Sequence, residues 1–206
     1  MIIKNIFYAI LLGVGMAACL SQNDQNVEGA TAGTAAEQPV TEITEETITP
    51  TADQLRIAPG KVGFVTISDD IEQMRQTIPA GFAIADTMLQ QEGTQATAYI
   101  IRPENEAKGI LVEQQCDADC KVWRLNVQSE KYKTAKGIGV GDTYEKAQKQ
   151  HPINTVTLAD GGLVAVAKDG GMTFVLDPSQ IPANDRSRLT PETVPGTTRI
   201  KAILIY

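Results

Sequence analysis

The sequence predicts an α+β domain, with short helices packed on an antiparallel sheet and arranged as two helix-plus-three-strand repeats. Three observations predict it. Thr66 to Pro79 aligns without gaps on Gly139 to Pro152, matching Asp69 with Asp142, Glu72 with Glu145 and Pro79 with Pro152. Apolar runs with a strand's period of two follow each copy. Between two of those runs, Lys168-Asp-Gly-Gly171 is a hairpin turn signal.

Each aligned copy reads as one short helix. An Asp followed three positions later by a Glu is a capping-box pattern, so Asp69 with Glu72 and Asp142 with Glu145 are read as structural helix caps. Ile71, Met74 and Ile78 recur at helical spacing, as do Tyr144, Ala147 and His151. Pro79 and Pro152 close the two helices, because the residue before proline avoids the α region. Strands are expected at Thr97–Arg102, Gly109–Gln114 and Lys121–Gln128 after the first helix. After the second they are expected at Leu163–Ala167, Met172–Leu176 and Arg199–Tyr206. Alternation along the third places Trp123, Leu125 and Val127 on one face.

Before the domain the chain reads as an address. In Met1–Ala18, Lys4 supplies a positive start and Ile6 to Val14 form an uncharged apolar run. That run is too short to span a bilayer core, which needs about 20 apolar residues. Met16-Ala17-Ala18-Cys19 then matches the lipobox at which a lipoprotein signal peptide is cut. Cys19 is therefore the expected lipidation site, and two or three acyl chains there anchor a protein stably. Leu20 and Ser21 lack the Asp that would retain it at the inner membrane in enteric-type sorting, so the periplasmic face of the outer membrane is the expected location.

The net charge of −7 is unevenly distributed. Residues 20–55 hold seven acids and no Lys or Arg, whereas 56–206 hold 17 basic and 18 acidic side chains. Residues 19–56, the lipidated cysteine and an acidic Thr/Ala/Glu-rich stretch without aromatics, cannot bury enough apolar surface to fold and read as a disordered tether. As a coil it reaches on the order of 30–36 Å. Residues 57–206 form a single expected domain, with repeats at approximately 57–128 and 129–206. Its near-neutral charge gives no electrostatic footprint for nucleic acid.

Three constellations bear on chemistry. Gly137-Ile-Gly-Val-Gly141 precedes a helix, but its spacing fits neither a dinucleotide nor a P-loop fingerprint, and Asp142 sits where an anion would bind. It reads as a tight turn. Cys116 and Cys120 flank three residues between two strands, and in an oxidising compartment they are expected to form a structural disulfide. No further His or Cys is available to complete a metal site with them, so neither metal nor cofactor is expected. His151 is the only histidine, and no nucleophile elbow, zinc motif or carboxylate pair accompanies it. No catalytic residue is assigned.

From Lys133 to Tyr144, together with the Trp123-Arg-Leu-Asn-Val127 strand and the closing Arg199–Tyr206 strand, the chain resembles a family of uncharacterised bacterial envelope lipoproteins under envelope-stress control. The resemblance covers Val122 to Tyr206 and implies an outer-membrane lipoprotein with no known activity to carry over. More distantly, the repeated unit is similar to small outer-membrane assembly lipoproteins and to the tandem-repeat β-lactamase inhibitor protein fold. That likeness concerns architecture and does not establish function. The expected function is a non-enzymatic envelope lipoprotein, tied to the lipid bilayer through acylated Cys19 and binding an unidentified envelope protein or cell-wall component. The alternative is an inhibitor of a periplasmic hydrolase presenting the Cys116–Cys120 tip; a hydrolase using His151 ranks last.

Overall fold

The computed structural model describes residues 48–91, 93–159 and 162–206. Three short strands open the chain, β1 (Arg56–Ala58), β2 (Lys61–Val62) and β3 (Val65–Thr66), followed by helix α1 (Ile71–Gln76). Four strands then run back and forth: β4 (Phe82–Gln91), β5 (Thr94–Pro103), β6 (Ile110–Cys116) and β7 (Cys120–Val127). Strand β8 (Lys133–Thr134) and helix α2 (Tyr144–Gln150) lead into β9 (Ile153–Ala159), β10 (Gly162–Ala167), β11 (Met172–Leu176) and β12 (Ile200–Ile205). Two single 3₁₀ turns, Pro178–Gln180 and Arg186–Arg188, lie between the last two strands.

This overturns the expected α+β class, because the described fold is mostly β. A four-stranded sheet has the order β3-β2-β1-β8, and an eight-stranded sheet runs β4-β5-β6-β7-β12-β11-β10-β9. The two α-helices span only 6 and 7 residues. Each precedes four strands, not three. The strands that sequence reading missed, β4 and β9, are the two edges of the large sheet. An edge strand is packed on one side only, so its apolar alternation is weak; in β9 only Val156 is buried.

The internal repeat survives as geometry. Ser68 N–H donates to Val122 O at 2.8 Å, and Gly141 N–H donates to Ile200 O at 2.9 Å. Val122 N–H in turn donates to Asp69 O at 2.8 Å, as Ile200 N–H does to Asp142 O at 2.9 Å. Where the halves meet, β7 and β12 pair Val127 with Ile203 and Leu125 with Ile205, symmetrically about Asn126 and Leu204. An approximate twofold through that pair relates the two meanders. Ser68, at φ 72°, is the one described non-glycine residue with a left-handed backbone, and its counterpart Gly141 has φ 83°. One turn geometry therefore serves both copies.

The cap assignment is corrected by one residue. Asp70 caps α1, its carboxylate accepting the Gln73 N–H at 3.1 Å, and the Thr143 hydroxyl caps α2 by accepting the Lys146 N–H at 3.4 Å. Asp69 and Asp142 instead close the preceding turn, accepting the N–H groups of Thr66 at 2.7 Å and Gly139 at 2.8 Å. Glu72 and Glu145 fall in the first helical turn, one position short of a capping box; Glu145 pairs along the helix with Lys149 at 2.6 Å. Two adjacent side chains able to cap stand at each helix start, and spacing alone did not separate them. Asp70→Ala and Thr143→Ala are each expected to cost about 0.5–2 kcal/mol in thermal melts. With no partner in common, the two losses should add in the double variant.

One face of the large sheet carries the core. Ile101, Ile110, Leu125, Ile203, Phe174 and Leu163 are fully buried there, joined by Ile71 and Met74 of α1, Tyr144 and Ala147 of α2, and Ile57, Val62 and Val65 of the small sheet. Trp123 does not join them. The β6–β7 register shifts between Glu113 and Gln114, and this bulge turns Trp123 outward while Val122, Leu125 and Val127 face the core.

The structure begins the domain before Ile57. The Leu55 carbonyl accepts the Lys133 N–H at 3.1 Å, and a Cβ at Gly63 would lie 2.2 Å from the Gln54 carbonyl oxygen. Gln54 and Leu55, assigned to the tether by composition, make these contacts. Cys19, the export signal and residues 20–47 lie outside the described residues.

Candidate functional site

The β6–β7 hairpin ends in a covalent loop. Cys116 and Cys120 form a disulfide, closing Asp117-Ala118-Asp119, all three exposed, at the end of the ladder. Beside the tip is a groove of about 260 Å³, bordered by Ser68, Gln115, Lys121 and Trp123. Lys121 is held by Asp70 at 3.4 Å, which ties the base of the tip to the start of α1. The backbone N–H of Gln73, followed by Lys121, keeps the Asp70 carboxyl below its ordinary range.

Adjacent to the tip, on the sheet face away from the core, three side chains form a stack. Trp123 and Tyr206 are 42% and 40% exposed, and their rings meet edge to face at 6.1 Å. The Arg124 guanidinium lies 4.9 Å from the Trp123 ring and 5.8 Å from the Tyr206 ring. It is fixed there by a bidentate bond to Glu113, with both N–H···O distances at 2.8 Å. Glu113 is only 3% exposed. A planar guanidinium pinned by a buried carboxylate holds both rings in a set orientation. Sequence reading missed this arrangement, since Glu113 and Arg124 become neighbours only through the β6–β7 register.

The glycine turn holds a carboxylate of its own. Gly137 and Gly141 have φ of 74° and 83°, and a Cβ at Gly139 would lie 2.4 Å from the Tyr132 carbonyl oxygen. Asp142 fills the turn, bonded to the Gly139 N–H, Lys133 at 3.0 Å and Lys146 at 2.7 Å. Burial raises its pKa, but the two lysines and the Gly139 N–H outweigh that and hold it below the ordinary value. An anion there would meet an occupied site.

His151 closes α2 and is 6% exposed. Its Nε2 lies 3.2 Å from the Thr134 hydroxyl, which also accepts the Ile138 N–H at 3.1 Å. Its Nδ1 lies 3.7 Å from Asp169, and its ring packs 5.8 Å from that of Phe174. Of this Thr–His–Asp line, Thr134 and His151 are buried and Asp169 is exposed. Burial, then the nearby Lys136, lower the His151 pKa from its ordinary 6.5, with Asp169 opposing them. The folded state therefore favours neutral imidazole. This contribution to stability is complete above the unfolded value and is lost as pH falls through the folded one. Urea melts between about pH 7.5 and 5 should show stability falling with acid, and His151→Gln should flatten that slope. A slope unchanged by the substitution would assign the effect to other groups.

Among the described residues, no group of three or more His, Cys, Asp or Glu is placed to hold a metal ion. Among them, too, no helix is long and apolar enough to cross a membrane.

No family model matches the chain, and no curated protein matches it. Among solved structures, the chain is similar to the crystal structure of the uncharacterized protein yfeY from Escherichia coli. The TM-score is 0.49 and the identity 10%, over 68% of this chain and 91% of that one. A likeness at that level carries no argument about function or membership, so the expected lipoprotein family rests on the motifs quoted above.

Proposed function

We propose that this protein is a membrane-anchored, non-catalytic binding module of the bacterial cell envelope, held at the periplasmic face of the outer membrane by lipid on Cys19. The observation that carries the binding role is the Trp123–Arg124–Tyr206 stack. Trp, Tyr and Arg are the residue types in which binding energy concentrates at protein interfaces. Here two exposed rings are pre-set by an arginine that is itself immobilised, so little side-chain freedom is lost when a partner docks. The Cys116–Cys120 disulfide supports an exported location, since such bonds persist in oxidising compartments. The partner is an envelope protein or a cell-wall component.

A second reading has a specific observation in its favour. A disulfide-closed, fully exposed hairpin tip is a rigid projection of the kind an inhibitor inserts into a hydrolase cleft. Affinity capture from crosslinked envelopes separates the two readings: assembly or wall components support the first, and a soluble hydrolase supports the second. Trp123→Ala should abolish capture with little change in melting temperature. Capture that is indifferent to Trp123 would remove the stack from the account.

A further inference from the structure

The two copies of the repeat share a scaffold, so residues that differ between them at matched positions are ones the scaffold does not require. Asp69 and Asp142 close the same turn, and the bridge of Asp70 with Lys121 is matched by that of Thr143 with Arg199. Val122 and Ile200, the next residues, are both buried and make the same backbone bonds. The position after them holds Trp123 in one copy and Lys201 in the other. At the turn, Ser68 stands where the second copy has Gly141. A serine at φ 72° carries a backbone cost that glycine does not, and such costs cluster at functional sites. Ser68 and Trp123 both border the groove of about 260 Å³ beside the disulfide tip.

The chemistry of that groove narrows its ligand. Ser68, Gln115, Asp117, Asp119, Lys121 and Trp123 are all exposed there. Among the described residues, Lys121 alone of these has its polar side-chain group bonded, to Asp70 at 3.4 Å. The main chain is already occupied. Ser68 N–H donates to Val122 O, Val122 N–H donates to Asp69 O, and Gln115 pairs with Lys121 in the β6–β7 ladder. An added peptide strand finds no open backbone here, so recognition falls to side chains. Two carboxylates, against one ammonium that Asp70 already neutralises, turn anions away. The groove suits a ligand with an apolar face for the indole and a rim of hydroxyls. Those hydroxyls can donate to Asp117 and Asp119 and exchange hydrogen bonds with Ser68 and Gln115. A pyranose ring has both parts.

We infer that this groove binds an uncharged saccharide. One ring lays its C–H face against Trp123, and its hydroxyls bond to Ser68, Gln115 and the two aspartates held by the disulfide loop. The inference rests on the reading of Trp123 as a contact residue and names the class of ligand it contacts.

Trp123 is the only tryptophan of the chain, so its fluorescence reports the groove directly. Titrating the purified full chain with N-acetylglucosamine tetramer and with maltotetraose should change that emission saturably for at least one of them at millimolar concentration. Galacturonate tetramer should bind about tenfold more weakly or not at all. Ser68→Gly should weaken binding about threefold to tenfold, the loss of one hydrogen bond. Its melting temperature should change little, since glycine accepts that backbone; a merely structural Ser68 would leave binding intact. By calorimetry, Trp123→Ala should weaken binding about tenfold or more. Lys201→Ala, at the matched position of the second copy, should leave it unaltered. Any of three results would overturn the inference: no saturable change with either neutral tetramer, galacturonate binding as tightly as they do, or Ser68→Gly binding as well as the parent. Trp123-dependent capture of an envelope protein, with no glycan bound in any titration, would keep the contact role of Trp123 and overturn the saccharide.

Discussion

Replacing Arg124 with Met is expected to destabilise the folded protein by about 3–5 kcal/mol. The side chains of Arg124 and Glu113 are 11% and 4% exposed, so the pair is largely withdrawn from water. Removing the cation leaves the Glu113 carboxylate in its low-dielectric site without its bidentate partner, and the cost is mainly the desolvation of that carboxylate. Replacing both residues, as in Glu113→Leu with Arg124→Met, should recover most of the loss, since exchanging a buried ion pair for apolar groups is often near neutral. Chemical denaturation of both single variants and the double gives the coupling directly. A single Arg124→Met loss below about 1 kcal/mol would place the pair in the class of solvated surface bridges. The double variant should also lose partner capture, because the rings of Trp123 and Tyr206 would no longer be held by the guanidinium.

Phe174→Ala is the second change with a large expected effect, about 3–5 kcal/mol. Phe174 is fully buried on β11 and pairs with Ala165 on one side and Ile203 on the other. It stands in the meander opposite the one that bears the disulfide tip, and its ring contacts His151. Both cross-strand neighbours and the imidazole are fixed by their own partners, so the space cannot collapse and a cavity term adds to the lost transfer energy. The same substitution opens a path for water to His151, and the acid sensitivity described above should weaken with it. A loss near 1 kcal/mol would mean that the surrounding strands relax into the gap.

Much of the sheet was legible in the sequence, and the parts that were not share a physical cause. Thr97–Arg102, Gly109–Gln114, Leu163–Ala167 and Met172–Leu176 lie within observed strands or within a residue of them, because a strand buried on one face writes its period into the chain. The Lys168–Gly171 turn was legible because its two glycines take φ of 74° and 68°, which few other residues accept. The pairing of Cys116 with Cys120 followed from their position across a short hairpin. The edges β4 and β9, and the two- and three-residue strands β1, β2, β3 and β8, carry too little period to read, and their omission turned a β-rich fold into an expected α+β one. Trp123 was placed on the wrong face because a one-residue bulge inverts every side chain beyond it. The Glu113–Arg124 pair depends on that same register, so the most distinctive surface feature of the molecule was illegible from spacing alone.

The proposed anchoring rests on Cys19, and the intact mass of the protein recovered from bacterial membranes tests it most directly. The expected result is a chain beginning at Cys19, heavier than the bare polypeptide by two or three acyl chains, and a Cys19→Ala form that leaves the membrane fraction or accumulates unprocessed. A membrane-recovered chain with unmodified polypeptide mass, fractionating identically when Cys19 is replaced, would contradict it.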